Sequence, residues 1–243
     1  MGGDDRRHAV ILAGGKGTRL RPFTTTLPKP LVPIGGESPI LEIVLRQLSH
    51  HGFQSATLAI GHMGEIIHAY VGDGGRWGLK VDYTIEEEPL GTMGPVIAVL
   101  ERLPEHFLVM NGDILTDLDY GTLLDAESAS NAPITVATYH RDVHVDFGVL
   151  ELEGNQIVSF TEKPMLEYRV SMGVYALART TLGRYTAGEA LGFDELMLDL
   201  LARGESPVSY PFDGYWLDIG RPEDYDRANA DWPDTRQILL PPG

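Results

Sequence analysis

Cysteine is absent from this chain of 243 residues, and lysine occurs only four times. Without cysteine, the protein has no disulfide framework and no thiolate metal site. No apolar run is long enough to span a bilayer, and the first eight residues lead into a predicted strand without the hydrophobic region of a signal peptide. We therefore expect a cytoplasmic protein with no membrane partner. With 43% apolar residues, it can bury a substantial single core.

Positive charge is scarce as well, and it is concentrated in a few places. Nineteen lysines and arginines face 35 acidic residues, which gives a formal net charge of −16. An acidic surface of this kind repels nucleic acid and anionic membranes, so we expect no nucleic-acid partner. Three of the four lysines nevertheless fall in motifs that contain glycine or proline, namely Lys16, Lys29 and Lys163. Lysines that only solvated the surface would be scattered, so this grouping indicates local sites for an anion.

A glycine-rich loop after a short apolar run is the most informative segment. Residues 9–13 predict a buried strand, and three of the next four residues are glycines, which let the backbone amides approach a ligand. Lys16 and Arg19 stand in the same loop, and Arg21 and Lys29 follow it. Amides and cations directly after a strand are typical of a polyphosphate site. The loop lacks both the GxGxxG and the GK[ST] spacings, and an ordinary strand-to-loop turn is the alternative interpretation.

The first half of the chain predicts an α/β fold. Short apolar strands over 9–13, 56–60, 81–85 and 107–110 alternate with amphipathic helices, as in a mostly parallel, doubly wound, Rossmann-like sheet. The helices are predicted from Ser38 as N-cap to Gly52, over 62–71 and over 92–103. Ligands bind beyond the carboxyl ends of such strands. Gly14 and Asp113 both lie at such ends, and we expect them to face one crevice.

The second half predicts a subdomain packed on the same sheet. Strands are predicted over 134–138, 147–152, 157–161 and 170–176, and helices over 193–203 and 222–232. We interpret 1–243 as a single domain, with a nucleotide-binding half over about 8–130 and a half for a second substrate over about 131–243. The polar residues His140, Arg141, His144 and Asp146 are irregularly spaced and lack a cysteine partner, which favours a polar strand and loop over a zinc site.

Taken together, seven motifs resemble those of the sugar-1-phosphate nucleotidylyltransferases, also called NDP-sugar pyrophosphorylases. The glycine loop reads G-G-x-G-T-R-L-x-P and is followed by P-K-P. Six further motifs stand in the family's order, at 88–92, 111–113, 147–149, 161–164, 171–175 and 216–220. The sequence is most similar to the mannose-1-phosphate and heptose-1-phosphate guanylyltransferases of this family. The resemblance implies the nucleotide-diphospho-sugar transferase fold, a mixed Rossmann-like sheet with a sugar-binding subdomain.

The resemblance also implies a reaction, in which a sugar-1-phosphate and an NTP give an NDP-sugar and pyrophosphate. A phosphate oxygen attacks the α-phosphorus in line, and it is already ionised, so no general base is needed. Arg19 and Lys29 are the implied catalytic cations, and Asp113 and Asp218 are the implied ligands of Mg²⁺. Considered singly, Asp113 would be a turn residue and Asp218 a helix N-cap.

The nucleotide is implied to lie against the glycine loop and the segment 88–92. The pattern E-x-P-L-G-T resembles the guanylyltransferase form, so GTP is the expected nucleotide, although Met93 departs from the usual continuation. A thymidylyl-, uridylyl- or adenylyltransferase that acts on another sugar or cyclitol phosphate is an alternative. The implied nucleotide-binding residues are Leu12, Ala13, Gly14, Gly15, Gly17, Thr18, Glu88, Pro89, Gly91, Thr92 and Gly112.

The sugar phosphate is implied to contact the second half. Lys163 is assigned to the phosphate, Glu162 to sugar hydroxyls, and Gly148, Ser171 and Gly173 to the space around the ring. Ser171 and Met172 replace the more usual Asn-Ala of the family, which leaves the sugar open.

Several expectations concern the assembly and the class of protein. The resemblance favours a homo-oligomer, a dimer or a tetramer, and the chain leaves no room for the C-terminal β-helix of many relatives. A non-catalytic regulatory subunit that binds a nucleotide-sugar is the alternative from another class. A dinucleotide oxidoreductase is disfavoured because the GxGxxG spacing is missing.

Overall fold

A computed structural model describes residues 7–86 and 88–241 of the chain. Its strands are β1 (His8–Ala13), β2 (Pro33–Ile34), β3 (Ser38–Pro39), β4 (Ser55–Ile60), β5 (Lys80–Ile85), β6 (His106–Asn111), β7 (Ile114–Thr116), β8 (Ile134–His144), β9 (Val149–Glu153), β10 (Gln156–Thr161), β11 (Met165–Ala178), β12 (Val208–Phe212) and β13 (Trp216–Asp218). Its helices are α1 (Ile40–His50), α2 (Gly64–Val71), α3 (Gly94–Ala98), α4 (Tyr120–Ser128), α5 (Arg179–Leu182), α6 (Phe193–Ala202) and α7 (Pro222–Leu239). None of these helices combines the length and the apolar character needed to cross a bilayer.

Both halves of the chain contribute to one mixed sheet of seven strands, in the order β12-β8-β11-β6-β1-β4-β5. Strand β1 pairs in parallel with β4 and β6, and β4 pairs in parallel with β5. Strand β12 is parallel to β8, whereas β11 is antiparallel to both of its neighbours, β6 and β8. The predicted Rossmann-like mixed α/β fold is confirmed, and the carboxyl ends of β1 and β6 meet at one edge of the sheet.

Two apolar clusters cover the two faces of this sheet. Because side chains alternate along a strand, Ala9 and Ile11 of β1 enter one cluster and Val10 enters the other. Helix α1 packs on the first face and α6 on the second, each through residues that recur at helical spacing. Helices pack on both faces of the sheet, so the positions of the residues at its carboxyl edge are fixed by the core.

Two predicted helices begin or end differently in the structure. Ser38 does not cap α1, because Ser38–Pro39 pairs as β3 with β2 around the glycine pair Gly35-Gly36. Both glycines have positive φ, which suits a tight hairpin turn. The helix predicted over 92–103 is divided, since α3 ends at Ala98 and a 3₁₀ turn follows at Leu100–Arg102.

Helix α7 continues for two turns beyond the predicted end at Trp232. Pro233 lies inside it and removes one helical hydrogen bond, but a buried stripe carries the helix past this point. The stripe consists of Ala228, Trp232, Thr235 and Leu239. At its other end, Tyr225 donates its hydroxyl to the Pro33 carbonyl at 2.9 Å, and the Gly35 amide donates to Asn229 Oδ1 at 2.9 Å. Helix α7 therefore fixes the segment that follows the glycine loop.

Strands β8 and β11 are longer than predicted and leave the sheet together. Beyond Tyr139, β8 pairs with the first residues of β11 to form a two-stranded ribbon, and the β9–β10 hairpin lies between them in the sequence. We call residues 140–169, which comprise the end of this ribbon and the hairpin, the arm. Nearly all of its side chains are exposed, including many apolar ones.

Candidate active site

The glycine-rich loop leaves the carboxyl end of β1 and is folded against the protein. It contains three short 3₁₀ turns, Thr18–Leu20, Phe23–Thr25 and Lys29–Leu31. Leu20 and Leu31 are buried, and the Thr24 hydroxyl donates to the Gly17 carbonyl at 2.7 Å. With these anchors inside, the cations Lys16 and Arg19 are left exposed at the edge of the sheet.

A cavity of about 950 Å³ opens between this loop and the carboxyl ends of the central strands. Eleven of the sequence-predicted site residues line it: Leu12, Ala13, Gly14, Gly15, Lys29, Glu88, Pro89, Gly91, Thr92, Gly112 and Asp113. Seven residues outside that predicted set line it too: Lys16, Pro30, Gly61, His62, Glu86, Pro95 and Asn111. The structure thus brings the glycine loop, the 88–92 segment and the Asp113 motif to one place.

Glu86 is a cavity residue that the sequence analysis did not single out. Its Oε1 accepts a hydrogen bond from the Leu90 amide at 3.3 Å, and an added Cβ on Gly14 would lie 2.7 Å from its Oε2. Burial raises the pKa of this carboxyl above its ordinary value. Because Glu86 directly follows β5, whose carboxyl end reaches the same edge as that of β1, strand order is the signal that could have found it.

The two predicted metal ligands lie side by side although 104 residues separate them. Strands β7 and β13 pair so that Asp218 is opposite Ile114, the residue after Asp113. The Ile219 amide also donates to the Asp113 carbonyl at 3.1 Å. Partial desolvation raises the pKa of Asp218, the Asp113 carboxylate raises it further, and Lys29 acts in the opposite direction. The pair is therefore a concentrated site of negative charge.

Two cations adjoin this carboxylate pair. The ammonium of Lys29 forms an ion pair with Asp113 Oδ2. Arg19 does not line the cavity, but its guanidinium lies near Gly220, two residues after Asp218, and its charge lowers the pKa of Asp218. Two neighbouring carboxylates attract a counterion, and their oxygens are suitable ligands for a hard divalent cation such as Mg²⁺. Gly17 and Thr18, the two predicted nucleotide-binding residues outside the cavity lining, belong to the turn that carries Arg19.

Ser171 and Gly173 lie in an irregularity of β11 beside the cavity wall. Gly173 has φ +74°, and an added Cβ would lie 2.6 Å from Asn111 Nδ2 and 2.8 Å from Ile114 Cδ1. Only glycine combines this conformation with so close an approach. The Ser171 hydroxyl accepts from the Gly173 amide at 3.2 Å and donates to the Tyr175 hydroxyl at 3.3 Å. These contacts place the two predicted sugar-site residues next to the Asp113 motif.

The remaining predicted sugar-site residues lie in the arm. Gly148 precedes β9 and Glu162 follows β10, and an added Cβ on Gly148 would lie 3.1 Å from Glu162 Oε2. Lys163 follows with φ +44°, and all three residues are exposed. The hairpin thus brings Gly148 and Glu162 together, but none of the three lines the cavity. Their assignment to the sugar phosphate stays a prediction.

A mixed α/β sheet with a glycine loop, cations and a carboxylate pair at its carboxyl edge defines a protein that binds a phosphate-bearing ligand there. The sequence model of the Nucleotidyl transferase family matches residues 8–235. The chain belongs to this family.

Several proteins of known name are similar to this chain in sequence or in fold. The chain is 34% identical over 230 residues to mannose-1-phosphate guanylyltransferase of Mycobacterium tuberculosis, which covers 92% of this chain and 64% of the relative's length. It is 32% identical over 219 residues to D-glycero-alpha-D-manno-heptose 1-phosphate guanylyltransferase of Campylobacter jejuni, covering 89% and 96%. HddC from Yersinia pseudotuberculosis, solved in complex with GMP-PN, superimposes with a TM-score of 0.69 at 29% identity, covering 93% and 99% of the two chains.

Proposed function

We propose that this protein transfers a nucleotidyl group from an NTP, most readily GTP, to a sugar-1-phosphate and releases pyrophosphate. One observation carries the proposal: Lys29, Asp113 and Asp218 meet where the glycine loop borders a cavity of about 950 Å³. Family membership supplies the reaction class. A regulatory subunit without turnover would not need this grouping of a cation with two carboxylates.

The chain's own groups suffice to orient an in-line attack on the α-phosphorus. The amides of residues 14–17, together with Lys16 and Arg19, hold the β- and γ-phosphates. Lys29, fixed by its ion pair with Asp113, contacts the α-phosphoryl group, where negative charge develops. The attacking phosphate oxygen of the sugar substrate is already ionised, so catalysis requires positioning and charge neutralisation only.

Asp113 and Asp218 would hold a Mg²⁺ ion. The bound ion supplies charge neutralisation at the triphosphate oxygens.

The cavity wall at residues 88–92 supports the choice of GTP. Glu88 lines the cavity, and its carboxylate can accept hydrogen bonds from N1 and N2 of guanine. Met93, the unusual residue of this segment, is fully buried in the core, and its amide donates to the Leu191 carbonyl at 2.9 Å. Met93 is therefore not part of the cavity lining. The two guanylyltransferase relatives are consistent with this choice, and a uridylyltransferase relative of the same 34% identity makes UTP the nucleotide to compare with GTP.

Among five nucleotides at equal concentration, GTP should give the highest kcat/KM. Initial rates of pyrophosphate release with GTP, dTTP, UTP, CTP and ATP, each with a panel of sugar-1-phosphates, measure this preference. Mannose-1-phosphate and a heptose-1-phosphate are the first sugars to try. A higher kcat/KM with UTP or dTTP than with GTP would contradict the base assignment.

Lys163→Ala should raise KM for the sugar-1-phosphate and leave GTP binding, measured by calorimetry without sugar, unchanged. Arg19→Ala should weaken GTP binding and lower kcat. A charge-assisted contact to phosphate contributes roughly 1.5–3 kcal/mol, or about ten- to hundredfold in affinity. Lys80→Ala is the matched control, because Lys80 is exposed and, among the described residues, its ammonium pairs only with Asp82, at 3.6 Å. If Lys163→Ala abolished GTP binding and left sugar-phosphate binding unchanged, the assignment of Lys163 to the sugar phosphate and of Arg19 to the triphosphate would have to be reversed.

We extend the proposal to the setting of the reaction. Residues 8–130 would bind the nucleotide and 131–243 the sugar phosphate, and the product would be a GDP-sugar such as GDP-mannose. The protein would act in the cytoplasm, as part of nucleotide-sugar biosynthesis, and as a homo-oligomer.

A further inference from the structure

The ribbon of the arm carries three potential metal ligands on one of its faces. His140 and Asp142 are separated by one residue along β8, so both project from the same face. Glu167 of β11 lies directly opposite Asp142, and directly opposite residues of an antiparallel pair share a face. The ligand atoms of the three side chains lie within 4.8 Å of one another. Strand pairing thus adds Glu167 to a segment whose own spacing did not predict a zinc site.

The distances among these three side chains are too long for hydrogen bonds. His140 Nε2 lies 3.6 Å from Asp142 Oδ1 and 3.7 Å from Glu167 Oε2, whereas an N–H···O hydrogen bond spans about 2.7–3.2 Å. In the histidine–carboxylate pair of β6 and α4, by contrast, His106 Nδ1 is 2.7 Å from Glu127 Oε2. The imidazole of His140 therefore faces two carboxylates at nearly equal distances and is hydrogen-bonded to neither of them.

The same distances are close to those between the ligand atoms of a tetrahedral metal site. Zn–N and Zn–O bonds of about 2.0–2.2 Å separate neighbouring ligand atoms by about 3.4 Å. The two distances from His140 Nε2 are within a few tenths of an ångström of this value. The three side chains are 42–74% exposed, so they can rotate slightly and an ion can reach them from solvent. One ion can therefore contact all three ligand atoms without a change in the backbone.

The charges on this face of the ribbon also call for a divalent cation. Like charges directly opposite each other destabilise a strand pair, and Asp142 and Glu167 are such a pair. Arg169 lies opposite His140 on the same face, but among the described residues it forms no ion pair with either carboxylate. A protonated imidazole supplies a single positive charge, whereas a divalent ion neutralises both carboxylates at once.

The donor atoms and their spacing select the kind of metal. Mg²⁺ and Ca²⁺ take oxygen ligands, whereas imidazole suits zinc, copper, iron and nickel. Cu²⁺ and Ni²⁺ favour square-planar sites, in which neighbouring ligand atoms lie closer together than in a tetrahedron. We propose that His140, Asp142 and Glu167 form a binding site for Zn²⁺ on the arm, separate from the carboxylate pair of Asp113 and Asp218. Three protein ligands leave the fourth position of the ion to water.

A zinc ion at this site ties the two strands of the ribbon together. Two ligands come from β8 and one comes from β11. Within the described residues, β12 pairs with β8 only as far as Tyr139, and β6 pairs with β11 only from Val174 onward. An isolated pair of strands is only marginally stable in water, and an ion that binds the folded form alone stabilises it by mass action. Zinc should therefore slow the local opening of the ribbon.

Calorimetric titration of the metal-free full chain with ZnCl₂ tests the site. The wild type should bind Zn²⁺ with a micromolar Kd. The Asp113→Asn, Asp218→Asn double variant should bind it equally well at this site, because neither residue belongs to the arm. Zinc binding that disappears in the double variant would assign the ion to the carboxylate pair and overturn the proposal, as would a wild type without a micromolar site.

Single variants of the arm identify the ligands. Loss of an outer partner of a metal ligand already lowers metal affinity about 10–100-fold, so His140→Ala, Asp142→Asn and Glu167→Gln should each weaken zinc binding by about tenfold or more. His144→Ala is the matched control. His144 lies on the same strand with its Nδ1 3.6 Å from Asp146 Oδ1, but it belongs to no group of three ligands among the described residues. Undiminished affinity in His140→Ala, or an equal loss in His144→Ala, would refute the assignment.

Amide hydrogen exchange of residues 140–144 and 165–169 tests the link between the strands. Zn²⁺ should slow exchange there in the wild type and have no effect in His140→Ala, and Mg²⁺ should have no effect in either protein. Zinc binding without slower exchange in the wild type would exclude an ion that bridges β8 and β11. Equal protection by Mg²⁺ would show that the carboxylates alone hold a hard cation, and the assignment to zinc would be wrong.

Discussion

Asp113→Asn and Asp218→Asn should each lower kcat by about hundredfold or more, since each removes one preorganised charge from the point where the triphosphate reacts. The carboxylates adjoin each other and Lys29, so neither can replace the other without moving a strand. Turnover with saturating GTP, sugar-1-phosphate and Mg²⁺ measures the loss. Asp234→Asn is the matched control, because Asp234 is exposed on α7, and it should retain wild-type turnover.

Asp218→Asn should lose this activity without losing stability. The folded state raises the pKa of Asp218, so its ionised form is disfavoured by folding, and that cost is present once the pH exceeds the folded pKa. The neutral amide removes the cost at neutral pH. Urea unfolding in EDTA should therefore give a free energy equal to or above that of the wild type. Near-normal turnover in either aspartate variant would leave that residue with a structural role only.

Gly35→Ala should destabilise the protein by roughly 2–5 kcal/mol. Gly35 has φ +64°, and an added Cβ would collide with the indole ring of Trp232. Left-handed backbone costs a non-glycine residue about 1–2 kcal/mol, and overpacking costs about 1–3 kcal/mol. Urea unfolding, monitored by tryptophan fluorescence, measures the change.

Gly36→Ala separates the two contributions to that loss. Gly36 has a similar φ, +67°, but an added Cβ would meet nothing within 4 Å. This variant should lose only about 1–2 kcal/mol, the cost of the backbone conformation. Equal losses in the two variants would show that the contact with Trp232 contributes nothing.

Local patterns were sufficient to predict the centre of the sheet. The apolar runs of β1, β4, β5 and β6 are short, buried and bounded by turn residues, and each was predicted to within two residues. Because parallel strands end at the same edge, the meeting of Gly14 and Asp113 at one cavity followed from the alternation of strands and helices.

Local sequence patterns could not predict which strands distant in the sequence pair with each other. Strands β7 and β13 have three residues each, too few for a period of two to be recognised. Their pairing joins Asp113 to Asp218, so the proximity of the two carboxylates came from the family resemblance alone. Helix α7 shows the same limit, since its continuation past Pro233 depends on burial of Thr235 and Leu239 in the core.

The strands of the arm were predicted, but the sequence did not show that the arm leaves the central sheet and is exposed to solvent. Residues 147–152 and 157–161 have strand patterns whether their apolar face meets the same chain or another molecule. A sequence pattern shows that a face is apolar, and only the folded chain shows that nothing within the described residues covers it.

The anchoring of the glycine loop by α7 has a consequence for biosynthesis. The Pro33–Gly35 segment, which follows Lys29, is held by Tyr225, Asn229 and Trp232, nearly two hundred residues later. During translation, the early strands leave the ribosome long before these three residues have been added. A nascent chain that stops short of α7 can pair β1 with β4 but cannot fix the loop. Nucleotide binding should therefore arise only after α7 has been synthesised, which keeps chains that lack α7 from sequestering the nucleotide.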